Sequence, residues 1–274
     1  MSTETLAPAT CVVRNTAGHK GRAEAVGAGP VMQHLHYGRI ILDAGAAVVF
    51  GTDERETALV CLRGSASIAT GDTKVTLERY DAIYVPRDSA VEVSGGPAGC
   101  DVAEISARVS RRHPVQVVRF ADVQKDPTLH VAAGGPTAKR DLNVLIGKNV
   151  QAGRIMAGVT FSDPGNWTSW PPHEHAAMLE EAYLYIDMPA PAFGVQLVYT
   201  NTREPEVATI VREGDIVLMP KGYHPNVAAP GGSINFLWMM AAHTEDTDRQ
   251  YGVVNVQPDF AAMPSGLDAA RAKA

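Results

Sequence analysis

The sequence predicts an all-β chain folded as two barrels. Three observations carry this. Short apolar runs recur at near-regular spacing, each bounded by Gly, Asp or Pro. Glycine (25) and proline (18) are frequent enough to supply the many turns that short strands need. The two halves of the chain also align as a degenerate repeat.

The first set of strands runs through Arg39–Leu42, Ala46–Phe50, Ala58–Leu62, the turn Arg63–Gly64, Ser65–Ile68, Thr73–Leu77 and Ala82–Val85. The second set runs through Asn143–Ile146, Ile155–Phe161, Ala182–Ile186, Gly194–Tyr199, Ile216–Met219 and Ile234–Met240. Gln124–Pro127 and Ala132–Pro136 read as the connection, which divides the chain into domains of residues 1–125 and 126–274. The clearest helical tendency is the Ala-rich end, Leu267–Ala274.

In the repeat, Tyr80–Arg87 lines up with Gly214–Lys221, and Glu56–Val60 with Glu180–Leu184. The first of these alignments sets Ala90 against His224, and the second sets Val49 and Gly51 against His173 and His175. The first half therefore keeps the barrel and lacks the histidines of the second.

Those residues are the strongest chemical signal. His173 and His175, at i and i+2 of an extended segment, point to one face. Glu180 follows five residues after His175, and His224 lies in the turn Pro220–Pro225. Three imidazoles and a carboxylate suit zinc or another divalent first-row metal. A His-x-His in a strand is often incidental, and the Glu and the remote His turn are what favour a metal here. Glu181 is the nearest spare carboxylate, but alternation turns it from the face of Glu180. His34-Leu35-His36 repeats the spacing without a matching carboxylate or His turn and reads as an edge or interface strand. His19, His113, His130 and His243 are isolated and read as surface residues; Trp167, Trp170 and Trp238 could line a sugar site, though packing is the more frequent use of such residues.

The formal net charge of -6 and the lack of a basic run argue against nucleic-acid binding. The apolar runs are too short for a membrane span, and Met1–Thr5 lacks the order of a secretory signal. Cys11, Cys61 and Cys100 form no Cys-x-x-Cys pair, so reduced thiols in a cytoplasm are expected.

The spacing His173-x-His175-x4-Glu180, with Gly214-x5-Pro220-x-Gly222-x-His224, resembles the two motifs of the cupins. One departure is that only Tyr223 separates Gly222 from His224, where two residues are usual. Gly165–His175 and Pro220–Pro225 resemble segments of the 5-deoxy-glucuronate isomerases of inositol catabolism. Ala182–Tyr185 is closer to the related 5-keto-4-deoxyuronate isomerases of pectin breakdown, and the loop from His175 to Glu180 is shorter than in the inositol enzymes. The resemblance implies a bicupin: two double-stranded β-helix (jelly-roll) barrels, the first degenerate. It implies one metal in the second barrel, held by His173, His175, Glu180 and His224, with zinc expected and manganese or iron as alternatives. It also implies a cytoplasmic, homo-oligomeric enzyme whose partner is a small sugar acid, and no organic cofactor.

The reaction expected is an aldose–ketose isomerisation, 5-deoxy-glucuronate to 2-deoxy-5-keto-gluconate. Lys221 and Tyr223 flank His224, and Arg154 lies on a strand leading to the site, so these three are the expected holders of the substrate carboxylate. The 5-keto-4-deoxyuronate reaction, a cupin dioxygenase and a non-catalytic sugar-acid binder are the alternatives.

Overall fold

The computed structural model describes residues 5–263. The helical tendency read at Leu267–Ala274 lies outside them. Helix among the described residues is confined to α1 (Pro8–Cys11), α2 (Phe120–Val123) and a 3-10 turn at Pro258–Phe260. The first half carries β1 (Val12–Val13), β2 (Gly21–Val26), β3 (His36–Leu42), β4 (Ala47–Gly51), β5 (Arg55–Thr70), β6 (Thr73–Leu77), β7 (Ala82–Val85), β8 (Ala90–Arg108) and β9 (Gln116–Val118). The second carries β10 (His130–Ala133), β11 (Arg140–Ile146), β12 (Ile155–Ser162), β13 (Trp167–Thr168), β14 (His173–Glu174) and β15 (Leu179–Tyr185). It continues with β16 (Gly194–Val198), β17 (Val207–Val211), β18 (Ile216–Met219), β19 (Asn226–Ala228), β20 (Phe236–Ala242) and β21 (Asn255–Val256).

The first half forms one antiparallel sheet in the order β2-β3-β8-β5-β7-β9, with β4 added to β8 and β6 to β5. Its spine, β8, escaped the sequence reading because Gly95, Gly96, Pro97 and Gly99 interrupt the apolar pattern. Those glycines allow close approach: a Cβ on Gly99 would stand 2.4 Å from the Leu42 carbonyl oxygen. The second half forms a sheet in the order β1-β18-β15-β20-β12-β11-β10, a second in the order β13-β19-β16-β17, and the pair β14-β21. β10 occupies part of the expected connection, where residues 130–133 alternate in burial as an edge strand.

Strand alternation sorts the side chains. On β5, Leu59 and Cys61 join Ile40, Ile68, Ile83 and Val102 in an aliphatic interior. Ala58 and Val60 face the other way, into a core shared with Ala157, Ala182 and Leu184 of the second half. β15 repeats this, but the face that carries Glu181, Tyr183 and Tyr185 is polar.

One strand of the first half joins the sheet of the second. β1 departs from the division at residue 125, because Val13 pairs with Ile216 of β18. Within the first half, Val118 of β9 pairs with Ala82 of β7. Each of these edge strands is followed by an arginine bound to a carboxylate of the sheet it joins: Arg14 to Asp215 and Arg119 to Asp81, both at 2.6 Å. Asp81 and Asp215 are equivalent in the sequence repeat.

Candidate metal centre

His173 enters from β14 and His175 from the turn after it. That turn is closed by Met178 and Leu179, whose N–H groups donate to the His175 carbonyl, both at 2.9 Å. His224 follows Gly222, whose φ of +91° favours glycine. A Cβ there would lie 2.6 Å from the Tyr199 carbonyl oxygen. The three rings converge, His224 standing 4.9 Å from His173 and 5.2 Å from His175, centroid to centroid.

The carboxylate that meets them is Glu181. Its Oε2 lies 3.0 Å from His175 Nε2 and 3.1 Å from His224 Nε2. Glu180, expected as the ligand, is turned to the opposite face of β15. There it accepts the backbone N–H groups of Gln33, His34 and Leu35 at 2.6–2.7 Å. Alternation separates the two glutamates as the sequence reading held, but the interior face belongs to Glu181.

The donor set fits a metal ion. His173 and His224 place Nδ1 2.9 Å from the carbonyl oxygens of Pro171 and Gly222, and His175 places its own 3.2 Å from that of Leu179. An Nδ1–H donated to a carbonyl leaves Nε2 with a free lone pair, the tautomer a metal requires. His224 Nε2 is buried without a hydrogen-bond partner despite its closeness to Glu181. His175, Glu181 and His224 form a group that could hold a metal ion, and His173 borders it. All four are at most 8 % exposed.

Burial, with the neighbouring His224, presses the His173 pKa down to about 3, which keeps that ring neutral. Burial alone would raise Glu181, but the hydrogen bond to His175 and the closeness of both His175 and His224 hold it at about 2. His175 is raised: burial opposes its charge, but the hydrogen bond to Glu181, which needs a proton on Nε2, outweighs burial; a metal would take the place of that proton.

A cavity opens beside the cluster over the seven-stranded sheet. Cross-strand neighbours build its floor: Glu181 opposite Met240, Tyr183 opposite Trp238, and Thr160 opposite Phe236 and Leu142. Trp238 stacks on Tyr251 at 5.0 Å and lies over Gly158. Ser169 and Tyr183 share a 2.8 Å hydrogen bond within the cavity wall. Arg140 of β11 is the only lysine or arginine among the described residues of the lining. It is 4 % exposed and donates to the carbonyls of Ala138 and Trp170 at 3.0 Å.

The expected substrate holders, Lys221, Tyr223 and Arg154, are not among the described residues that line this cavity. Arg154 spans the boundary between the halves, donating to the carbonyls of Arg108, Ala242 and His243. Tyr223 packs on Tyr199 at 5.6 Å, and Lys221 borders a separate small cleft with His175 and His224. His34 is an interface residue, its ring 5.6 Å from His243, and His113 is buried at 9 % exposure rather than on the surface.

A family model described as the KduI/IolB family matches residues 13–262. A 5-deoxy-glucuronate isomerase of Geobacillus kaustophilus is 30% identical, over 73% of this chain and 77% of its own. One from Geobacillus thermodenitrificans is 28% identical over 69% and 73%. Among solved structures, an IolB-like protein from Salmonella typhimurium superposes with a TM-score of 0.80 at 22% identity, covering 92% of this chain and 98% of that one. An oxalate decarboxylase of Bacillus subtilis gives 0.61 at 11% identity, covering 89% and 79%. These two structures show a cupin-type, all-β fold, and the family model, matched over nearly the whole length, places the chain in the KduI/IolB family.

Proposed function

We propose that this chain is a metal-dependent aldose–ketose isomerase that converts 5-deoxy-glucuronate to 2-deoxy-5-keto-gluconate. The observation that carries the metal is the convergence of three imidazoles, each with Nδ1 turned to a backbone carbonyl, two of which meet the Glu181 carboxylate while the third, His173, packs against His224. The substrate is drawn from the curated relatives, which are named 5-deoxy-glucuronate isomerases. Zinc suits three nitrogens and one oxygen, with manganese or iron as alternatives.

A bound divalent cation supplies Lewis acidity toward adjacent carbonyl and hydroxyl oxygens, lowering the cost of the enediolate between aldose and ketose. The protein's own residues do the positioning. Arg140 offers a buried cation for the far carboxylate of a sugar acid, in place of Lys221, Tyr223 and Arg154. Burial raises the Tyr183 pKa well above the phenol range, so its hydroxyl keeps a proton and, paired with Ser169, serves as a hydrogen-bonding site for a sugar oxygen. The aromatic wall of Phe236, Trp238 and Tyr251 excludes water. No helix among the described residues is long and apolar enough to cross a membrane. The three buried free cysteines support a reducing compartment, the cytoplasm.

The test is anaerobic incubation of metal-loaded protein with 5-deoxy-glucuronate, followed by NMR. Conversion without oxygen supports the proposal. The apolar wall also favours a second reading, a cupin dioxygenase. Oxygen consumption on an aromatic or dione substrate, with no turnover of any uronate, would select it.

A further inference from the structure

Glu180 and Glu56 occupy equivalent places in the repeat and do equivalent things. Glu180, 1% exposed, receives three consecutive backbone N–H groups, from Gln33 to Leu35, just before β3. Glu56, 0% exposed, receives those of Gly153, Arg154 and Ile155, at the start of β12, at 2.6–2.8 Å. Each half thus inserts a carboxylate into a loop of the other. The next residue differs: Thr57 follows Glu56, whereas Glu181 follows Glu180.

The turn that carries His175 hangs from the same place. The Leu179 carbonyl, one residue before Glu180, faces His175 Nδ1. His243, whose ring touches His34, donates its backbone N–H to the Met178 carbonyl at 2.8 Å and places Nε2 3.2 Å from the Ala176 carbonyl. The loop at residues 33–35 therefore braces, from outside the barrel, the segment that presents both His175 and Glu181.

We propose that Glu180 is a positioning residue for the metal centre. Through it the first half, which has no comparable His/Glu group among its described residues, sets the affinity of the second half for metal. This rests on the metal reading above. Groups that orient metal ligands from behind commonly change metal affinity by about 10–100-fold when lost.

The repeat supplies its own control. Full-length Glu180→Gln, Glu56→Gln and Glu181→Gln proteins are stripped of metal. Each is titrated with zinc against a chromophoric chelator and with cobalt for its visible spectrum. Both Glu180→Gln and Glu56→Gln should lose thermal stability, Glu56→Gln somewhat more because Glu56 also accepts the Tyr84 hydroxyl. Only Glu180→Gln should also weaken zinc binding, by about 10–100-fold, and change the cobalt bands. Equal zinc affinity and identical spectra in the two clasp variants would overturn the proposal. Undiminished affinity in Glu181→Gln would instead overturn the metal reading. If Glu180→Gln does not fold, Glu180→Asp paired with Glu56→Asp gives the same comparison, and the same equality would overturn the proposal.

Discussion

Replacing Glu56 with alanine should be among the most destabilising single changes in the first half. The carboxylate is fully buried and accepts three backbone N–H groups and, at 2.9 Å, the Tyr84 hydroxyl. Removing it strands four donors, and a buried donor left unsatisfied costs about 1–3 kcal/mol. Water entering the vacated space and rotation of the Tyr84 hydroxyl recover part of this, which leaves about 3–5 kcal/mol. At about 2–4 °C per kcal/mol for a chain of this order, the midpoint should fall by roughly 10 °C. The assay is thermal unfolding by circular dichroism on metal-free protein, so that metal binding does not mask the change. Tyr84→Phe removes one donor together with its acceptor bond and should cost only about 1 kcal/mol. A fall of less than about 3 °C for Glu56→Ala would refute the clasp as a stabilising device.

Other outcomes follow from the same structure. Arg140→Met should raise KM for a uronate by about 10–100-fold, the worth of one charge-assisted hydrogen bond; an unchanged KM in steady-state kinetics would remove Arg140 from the substrate site. Burial pushes the Cys61 thiol up to about 12 and raises Cys100, so a thiol reagent at pH 8 should leave both unlabelled in the native protein and modify them after denaturation. Gly158→Ala should destabilise the cavity floor by at least about 1–3 kcal/mol in chemical denaturation, because its Cβ would lie 2.3 Å from both the Asn143 carbonyl oxygen and the Trp238 ring.

The sequence exposes the strands and the histidines but not which glutamate faces inward. Period-2 alternation separates Glu180 from Glu181 without saying which face is interior, and the cupin spacing points to Glu180. The repeat held the missing signal: Glu56 stands opposite Glu180 in a half without the histidines, so a carboxylate kept at that place serves something other than metal. Burial of Ala58 and Val60 between the halves, against Leu59 and Cys61 inside, fixes the phase. Arg140 carries no local signal, since it reaches the cavity through the pairing of β11 with β12. Arg154 lies on a strand leading to the site and Lys221 beside His224, but Arg154 is held at the boundary between the halves and Lys221 borders a cleft separate from the one that Arg140 lines. β8 was hidden because its glycines look like loop, whereas they serve close strand packing.

The most direct test of the account is anomalous diffraction from a crystal of the metal-loaded protein. The account predicts one peak, about 2.0–2.2 Å from nitrogens of His173, His175 and His224 and from an oxygen of Glu181. A peak bonded to Glu180, a peak at His34 and His36, or no peak at this cluster in protein shown to carry metal would contradict it.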